Sequence, residues 1–333
     1  MKISFTICSA NYLPFAKSLA DSLVKHNPDH RFFIVLLDRI PEKNMNFFQP
    51  HRLITVEEMQ ITGFEEMNEK YSIFELSCAM KAFAADYIFR TESSCDQLFY
   101  FDSDILVYGR LSEAEQTLEK NPILLTPHLV TSSLFENRDK VERDNLRTGI
   151  YNAGFFGLAR HADTDAFLSW WMQRMSLYCY NDADHGLFVD QLWLNLVPLT
   201  FRNTVLFYNE GYNVAYWNFG ERTVRPSGEG YVVNDKYPLI FFHFSGYDLE
   251  PGDVLCKHFP LYTFETHPAF IPLYEEYKNA ANANNNDDYF SLVPQLGKPR
   301  EEPVIEEEPE PPPPPPREKN LFRRKYKKWF GDA

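Results

Sequence analysis

The sequence predicts an α/β fold: a mixed, Rossmann-like sheet with crossover helices, followed by a disordered linker and a short basic helix. Strand-like and helix-like runs alternate through the N-terminal third of the chain, which is typical of parallel strands joined by helices. The 333 residues are 44% hydrophobic and 24% charged, a globular composition that provides for a substantial core. No apolar run approaches the roughly 18 residues needed to span a bilayer.

The first elements follow from local patterns. Short apolar, β-rich runs predict strands over Lys2–Cys8, Phe32–Asp38 and Gln97–Phe101. Apolar residues recur at helical spacing between the first two strands and again before the third. These residues are Phe15, Leu19 and Leu23, then Leu76, Met80, Phe83 and Tyr87. The order strand, helix, strand, helix, strand predicts a parallel sheet with crossover helices.

Further strands are predicted over Gly154–Ala159, Val205–Tyr208 and Leu239–Phe244, with a helix near Thr164–Leu177. Ligands of open α/β sheets bind beyond the carboxyl ends of the strands. The residues that directly follow each strand are therefore the first candidates for a functional site.

The composition changes after residue 280, which predicts three parts. Residues 1–280 form the folded domain. Residues 281–316 begin with a polar tract, continue with a Glu-rich run and end in an unbroken proline run, so we expect a disordered spacer. Residues 317–333 hold seven Lys or Arg against two acidic residues, a charge of +5. The tail is thus opposite in charge to the acidic body.

Charge and cysteine usage exclude several classes of protein. The net charge is −14, whereas proteins that coat duplex DNA carry excess cations, so we expect no nucleic-acid partner. The five cysteines are odd in number and lack a Cys-x-x-Cys pair, which favours reduced thiols in a cytoplasmic protein. The first segment, MKISFTICSA, is too short in its apolar part for a signal peptide.

The third predicted strand ends in FDSD, which places Asp102 and Asp104 on either side of Ser103. Two carboxylates that face one crevice repel each other unless a cation lies between them. Hard oxygen ligands with free coordination positions suit Mg²⁺ or Mn²⁺ bridging a diphosphate. An isolated Asp-x-Asp is also compatible with two solvated turn aspartates, but its place at a strand end favours metal binding.

Asp-x-Asp after an apolar strand resembles the nucleotide-sugar glycosyltransferases of the GT-A fold, and the chain is most similar to their retaining family 8 type. The matching segments, in order, are SANYLPFAKSL, FDSD, YNAGFFGL, FVDQLWLN and FFHFSGY. YNVAYWN followed by FFHFSGY also resembles a less characterised bacterial set of glycosyltransferases associated with surface-polysaccharide genes. Residues 1–280 would then be the glycosyltransferase domain.

The resemblance implies roles for individual residues. Those assigned to the donor are Asn11 and Tyr12 at the base and ribose, Lys81 on the helix before Asp-x-Asp, Asp102, Ser103 and Asp104, Asn152 and Gly154 beside the sugar, and Gly246 at the phosphates. His243 would join Asp102 and Asp104 as a ligand of Mn²⁺ or Mg²⁺. Gln191 would stabilise positive charge at the reacting sugar, with Asp190 orienting the sugar hydroxyls.

Two positions depart from the family pattern. The family often has a Lys shortly after His-x-x-Gly that holds the diphosphate, whereas this chain has none until Lys257. The family often has a second Asp directly after Asp-Gln, where this chain has Leu192. The departures concern the neutralisation of the phosphates and the group that faces the sugar.

Several of these residues also have a purely structural interpretation. His243 lies in an apolar strand, where a single His is often a hydrogen-bonded core residue. Lys81 can extend from an apolar helix to solvent, and Asp190 can cap a following helix. Tyr12 can be an ordinary packing residue, and Asn152 can brace a turn.

The resemblance implies metal-dependent transfer of a sugar from a nucleoside-diphosphate donor, UDP-linked, to a glycan or lipid-linked acceptor in surface-polysaccharide assembly. It also implies retention of configuration. Two alternatives stay open. A nucleotidyltransferase would need a glycine-rich, basic loop after the first strand, and SANYLP has neither glycine nor a cation. A catalytically silent scaffold of a polysaccharide assembly complex would show no metal-dependent nucleotide binding.

The last segment predicts a membrane-binding helix. In LFRRKYKKWF the aromatic residues fall on one helical face and the cations occupy the rest. Such a helix lies in the interface of an anionic membrane. We therefore expect a cytoplasmic protein whose residues 317–333 are peripheral at the inner face of the plasma membrane. A solvated tail, or one that docks on the body or on a partner protein, is the alternative.

Overall fold

A computed structural model describes residues 1–40, 47–228, 230–249, 252–285 and 288–299. The strands are β1 (Lys2–Cys8), β2 (His30–Leu36), β3 (Arg52–Thr55), β4 (Gln97–Phe101), β5 (Ile105–Val107), β6 (Ile123–Pro127), β7 (Tyr151–Ala159), β8 (Asn181–Asp182), β9 (Leu187–Phe188), β10 (Thr204–Leu206), β11 (Val224–Ser227), β12 (Gly230–Val233), β13 (Tyr237–Pro238) and β14 (Phe241–His243). The α-helices are α1 (Leu13–His26), α2 (Val56–Met59), α3 (Phe64–Lys70), α4 (Ile73–Thr91), α5 (Ser112–Leu118), α6 (Arg138–Thr148), α7 (Ala162–Tyr178), α8 (Val197–Thr200) and α9 (Ile271–Ala283).

The central sheet has seven strands in the order β10-β6-β7-β4-β1-β2-β3. Strand β1 pairs in parallel with β2 and β4, β2 with β3, and β10 with β6. Strand β7 runs antiparallel to both of its neighbours, β4 and β6. The mixed α/β sheet with crossover helices is therefore confirmed.

Helices cover both faces of this sheet because its strands are apolar on both sides. Along β1, Ile3, Phe5 and Ile7 belong to the cluster that includes residues of α4 and α7, whereas Cys8 belongs to the cluster that includes α1. Helix α4 begins at a capping box, in which the Ser72 hydroxyl accepts from the Glu75 N–H and the Glu75 carboxylate accepts from the Ser72 N–H. The capping box fixes where α4 begins, and its apolar residues decide which side faces the sheet.

A small two-stranded sheet extends the chain beyond the end of β4. Strands β5 and β14 pair antiparallel with His243 opposite Ile105, and the Phe244 N–H donates to the Asp104 carbonyl at 2.8 Å. The Asp102 N–H donates to the Gly154 carbonyl of β7, also at 2.8 Å. The bend after β4, the end of β14 and the middle of β7 therefore lie side by side.

The folded body continues past the predicted boundary at residue 280. Helix α9 runs to Ala283, and Tyr289 is fully buried with its ring 4.9 Å from that of Phe47. The Gln295 N–H donates to Asp38 Oδ1 at 3.1 Å, and the compact unit ends at Pro299. The predicted domain boundary at residue 280 is therefore too early. The segment that follows it is polar, but individual contacts, such as those of Tyr289 and Gln295, hold it against the body. The rest of the predicted linker and the basic tail, residues 300–333, lie outside the described residues.

All five cysteines are free and buried. Among the described residues, no helix combines the length and the apolar composition needed to cross a membrane.

Candidate active site

Asp102 and Asp104 meet His243 at the carboxyl end of β4. Both aspartates lie in the bend between β4 and β5, and the pairing of β5 with β14 brings His243 beside them. The His243 Nε2 atom is 3.0 Å from Asp104 Oδ1 and 3.9 Å from Asp102 Oδ2. One ligand atom from each of the three side chains lies within 4.8 Å of the others. His243 is buried, but its Nε2 faces two carboxylates and not an apolar core.

The three side chains fit a divalent cation. Carboxylate oxygens suit Mg²⁺ and Mn²⁺, and an imidazole nitrogen suits Mn²⁺. Burial would raise the pKa of Asp104, but the adjacent His243 holds that pKa below its usual value. Burial would lower the pKa of His243, but Asp104 and then Asp102 outweigh it and raise that pKa. A proton and a divalent cation would therefore compete for the Nε2 electron pair of His243.

Lys81 is buried on α4 at 4% exposure, so the interpretation that it extends to solvent is wrong. Its Nζ lies 3.2 Å from Asp102 Oδ1 and 3.0 Å from Asp190 Oδ2, and it donates to the Ala153 carbonyl at 3.1 Å. Burial would lower the pKa of Lys81, but the two carboxylates outweigh it and raise that pKa well above its usual value. Lys81 is therefore a fixed cation beside Asp102 and Asp190.

Asp190 lies behind Lys81, at 1% exposure. Burial raises the pKa of Asp190, although the neighbouring Lys81 opposes this effect. The 3₁₀-helix Leu192–Leu196 follows Gln191 and has no side-chain cap, so the capping interpretation of Asp190 is wrong. The carboxylate of Asp190 orients Lys81 in this structure.

Gln191 lies against the start of β7. Its Oε1 accepts from the Ala153 N–H at 3.2 Å and from Asn152 Nδ2 at 3.4 Å, and its Nε2 donates to the Thr148 carbonyl at 3.1 Å. These contacts fix which end of the amide faces β7. The structure therefore brings Gln191 and Asn152 together.

Asn152 belongs to a buried chain of amides that ends at the predicted metal ligand. Its Oδ1 accepts from the Gly154 N–H at 3.1 Å and from Asn213 Nδ2 at 2.9 Å. The Asn213 Oδ1 atom in turn lies 3.2 Å from His243 Nδ1. The Asn152 Nδ2 atom lies 3.2 Å from His128 Nε2, and burial lowers the pKa of His128 to about 4, which keeps that ring neutral. The chain links the sugar side of the site to the metal side.

Glycine is required at position 154, where β7 passes His243, Asp102 and Asn152. A Cβ atom at this position would lie 2.5 Å from His243 Cε1 and 2.8 Å from both Asp102 Oδ2 and Asn152 Oδ1. These distances are far below ordinary van der Waals contact. Only glycine lets the ligands approach the strand so closely.

Asn11 and Tyr12 lie in the 3₁₀-helix Ala10–Tyr12, directly after β1. Tyr12 is 43% exposed, with its ring 5.4 Å from that of Phe15, so it is not an ordinary core residue. Burial and then the charge of Asp104 raise the pKa of Tyr12. The Ser9 hydroxyl donates to Asn11 Oδ1 at 2.6 Å.

Gly246 adopts a left-handed conformation with φ of +71°. A Cβ atom there would lie 2.5 Å from His258 Cδ2 and 2.8 Å from Cys256 Sγ. The Lys257 N–H donates to the Gly246 carbonyl at 3.0 Å. The chain thus returns beside Gly246, and the backbone of Lys257, the first Lys after His-x-x-Gly, contacts it.

Three residues of the site were not predicted. Asn213 lies between Asn152 and His243 and contacts both. His128 contacts Asn152. The Tyr100 hydroxyl donates to Asp102 Oδ1 at 2.6 Å. Asn213 lies in the segment YNVAYWN, so this segment was the available signal. Ser103, which was predicted, is buried between the two aspartates.

The chain is similar to known proteins over most of its folded body. The sequence model of the family described as Glycosyl transferase family 8 matches residues 3–247. The uncharacterized protein YfnF of Bacillus subtilis (strain 168) is 26% identical over 246 residues, which are 73% of this chain and 80% of YfnF. YfnD of the same organism is 25% identical over 260 residues, 73% of this chain and 77% of YfnD.

Among solved structures, the galactosyltransferase LgtC in complex with donor and acceptor sugar analogs shares this fold. The TM-score is 0.52 at 17% identity, and the match covers 89% of this chain and 98% of that chain. This likeness confirms the predicted GT-A fold.

Proposed function

Because the chain belongs to glycosyl transferase family 8 and is a glycosyltransferase, we propose that it transfers a sugar from a UDP-linked donor in a metal-dependent reaction. The acceptor in this proposal is a glycan or lipid-linked molecule of surface-polysaccharide assembly. The observation that carries the proposal is the approach of Asp102, Asp104 and His243 within one 4.8 Å cluster. A scaffold without activity would have no need of such a cluster.

The donor is proposed to lie along the carboxyl ends of β1, β4 and β7. The half-exposed ring of Tyr12 stacks on the base, and Asn11 bonds its polar edge. Asp102, Asp104 and His243 are the residues that would hold Mn²⁺ or Mg²⁺, which would supply positive charge for the diphosphate. Lys257, whose backbone contacts Gly246, supplies positive charge in place of the Lys that the family often has earlier.

A bound divalent cation would neutralise the diphosphate and stabilise it as the leaving group. Lys81 fixes the orientation of Asp102 through their 3.2 Å contact, and Tyr100 holds the same carboxylate oxygen. Asp190 keeps Lys81 charged, so we assign Asp190 a positioning role in place of the predicted contact with sugar hydroxyls. Gln191 remains the proposed group that stabilises positive charge at the reacting sugar.

Retention of configuration is part of the proposal. Asp190 is buried against Lys81, and Gln191 is a neutral amide, so neither is a suitable nucleophile for a double displacement. The leaving phosphate oxygen can instead take the proton of the acceptor hydroxyl on the same face of the sugar.

A donor screen tests the proposed reaction. Purified protein is incubated with a panel of nucleoside-diphosphate sugars, with and without Mn²⁺, and release of the nucleoside diphosphate is measured. We expect release from one or a few UDP sugars, only with the metal, and none from the Asp102→Asn variant. Release that is equal with and without metal, after chelation, would exclude the metal-dependent mechanism.

A further inference from the structure

The orientation of Asn213 follows from a backbone group that can only donate. The Gly154 N–H points at Asn152 Oδ1 at 3.1 Å, so the oxygen of this amide must face the strand. Asn213 must then turn its NH₂ group to the same oxygen, which lies 2.9 Å away. This leaves the Oδ1 atom of Asn213 facing His243 Nδ1 at 3.2 Å.

An amide oxygen accepts and cannot donate, so His243 must carry a hydrogen on Nδ1. The other nitrogen, Nε2, faces Asp104 and Asp102. A His that binds a metal through one nitrogen usually donates from the other, and this partner fixes both the tautomer and the ring orientation. The contact with Asn213 therefore selects the form of His243 whose Nε2 can bind a cation.

Asn213 is itself held firmly. It is fully buried and has φ of +53°, a left-handed conformation that Asn tolerates better than most residues. Its carbonyl accepts from Asn218 Nδ2 at 3.0 Å and from Arg222 Nη1 at 3.3 Å. The buried guanidinium of Arg222 also donates to the Tyr212 carbonyl at 2.6 Å. A strained backbone held in this way is typical of a functional position.

We propose that Asn213 is the positioning residue of the metal site: it fixes His243 so that Nε2 is directed at the cation held by Asp102 and Asp104. This inference rests on the proposed function, because it requires that the three residues bind a divalent cation. It adds a residue outside the predicted ligand set, on a loop between β10 and β11.

Two variants separate the hydrogen bond from the backbone. Asn213→Gly keeps the left-handed conformation accessible and removes the oxygen that faces Nδ1. Asn213→Asp keeps an acceptor at Nδ1, but it replaces the NH₂ group that faces Asn152 Oδ1 with an oxygen. The control is Asn137→Gly, which changes another left-handed asparagine, with φ of +61°, that makes no capping bond at the start of α6. Circular dichroism on heating shows which variants fold.

The measurements are the Mn²⁺ affinity in the presence of UDP and pulsed electron paramagnetic resonance of bound Mn²⁺, which detects a coordinated imidazole nitrogen. We expect a nitrogen signal in the unmodified protein and its loss in His243→Ala. Asn213→Gly should bind Mn²⁺ about 10–100-fold more weakly, the usual effect of losing a partner behind a metal ligand. Asn213→Asp should bind more tightly than Asn213→Gly, and Asn137→Gly should match the unmodified protein.

The two possible failures are distinguishable. If the unmodified protein gives no nitrogen signal, or His243→Ala retains it, the metal site of the proposed function is wrong and the role of Asn213 is wrong with it. If the signal depends on His243 but Asn213→Gly binds Mn²⁺ as the unmodified protein does, the proposed function stands and the role of Asn213 is overturned.

Discussion

Replacing Gly154 with Ala should damage the metal site more than the fold. The added Cβ atom would lie 2.5 Å from His243 Cε1 and 2.8 Å from Asp102 Oδ2 and Asn152 Oδ1. Ordinary carbon contacts need about 3.5 Å or more, so His243 Cε1 would have to move by roughly 1 Å and the two oxygens by somewhat less. Ligand distances in a metal site lie within about 0.2 Å of their usual values, so His243 and Asp102, the two proposed ligands among these groups, would be displaced by more than this spread.

The expected magnitude follows from this displacement. A misplacement of about 1 Å can lower a catalytic rate about 100-fold, which corresponds to about 2.8 kcal/mol. Gly154→Ala should therefore lower kcat/KM at limiting Mn²⁺ by about this factor and weaken Mn²⁺ binding, measured by donor turnover and by titration calorimetry. Part of the lost kcat/KM should be restored at high Mn²⁺ concentration.

Gly157→Ala is the matched control on the same strand. Its added Cβ atom would lie 2.9 Å from Leu118 Cδ1, the end of a flexible side chain, and away from the three ligands. We expect Gly157→Ala to change the free energy of unfolding without changing the Mn²⁺ dependence. If Gly154→Ala has the same Mn²⁺ affinity and the same turnover as the unmodified protein, the reasoning from the contacts at Gly154 is refuted.

Three further predictions concern the base site, pH and the tail. Tyr12→Ala should weaken UDP binding by about 1–3 kcal/mol, the scale of one base–aromatic stack; equal UDP affinity in calorimetry would remove Tyr12 from the site. Because the pKa of His243 is raised, the ring stays protonated, and so excludes a cation, up to a higher pH than an ordinary His. The apparent Mn²⁺ affinity should therefore be lower at about pH 6 than at about pH 8. An affinity that does not change with pH would contradict this prediction. The full chain should float with anionic liposomes, less so at high salt, and a chain ending at Pro316 should not; flotation of the truncated chain would show that the basic tail is not the anchor.

Local sequence patterns were sufficient to predict the elements that carry the site. Strands β1 and β4 match their predicted bounds because each is a short apolar run. The position of Asp102 and Asp104 after such a run predicted their place at the end of the sheet. Strand β3, Arg52–Thr55, was not predicted because its four residues depend on pairing with β2.

The contacts behind the ligands depend on the tertiary structure. Asn213 meets His243 where the next residue, Val214, bridges in parallel to Phe242 of β14. It meets Asn152 because β14 also pairs with β5, whose bend lies beside β7. Lys81 is buried because two carboxylates that are distant in the sequence, those of Asp102 and Asp190, lie beside it. Helical spacing predicts only which other residues lie on the same face of α4 as Lys81. Sequence reasoning identified the matched segments but not the hydrogen bonds that join them.

The C-terminal boundary was predicted too early for a related reason. The segment after residue 280 is polar on average, yet Tyr289 is buried and the backbone of Gln295 and Lys298 bonds to Asp38 and Tyr71. A composition average does not detect a segment that is held by a few anchors.

The central claim is that Asp102, Asp104 and His243 bind a divalent cation together with a nucleoside diphosphate. Titration calorimetry of UDP, with and without Mn²⁺, tests it most directly in the unmodified protein and in Asp104→Asn. The account predicts UDP binding that is strengthened by Mn²⁺ in the unmodified protein, and the loss of this Mn²⁺ effect in a folded Asp104→Asn variant. UDP affinity that is the same with Mn²⁺ and with a chelator, or an unchanged Mn²⁺ effect in Asp104→Asn, would contradict it.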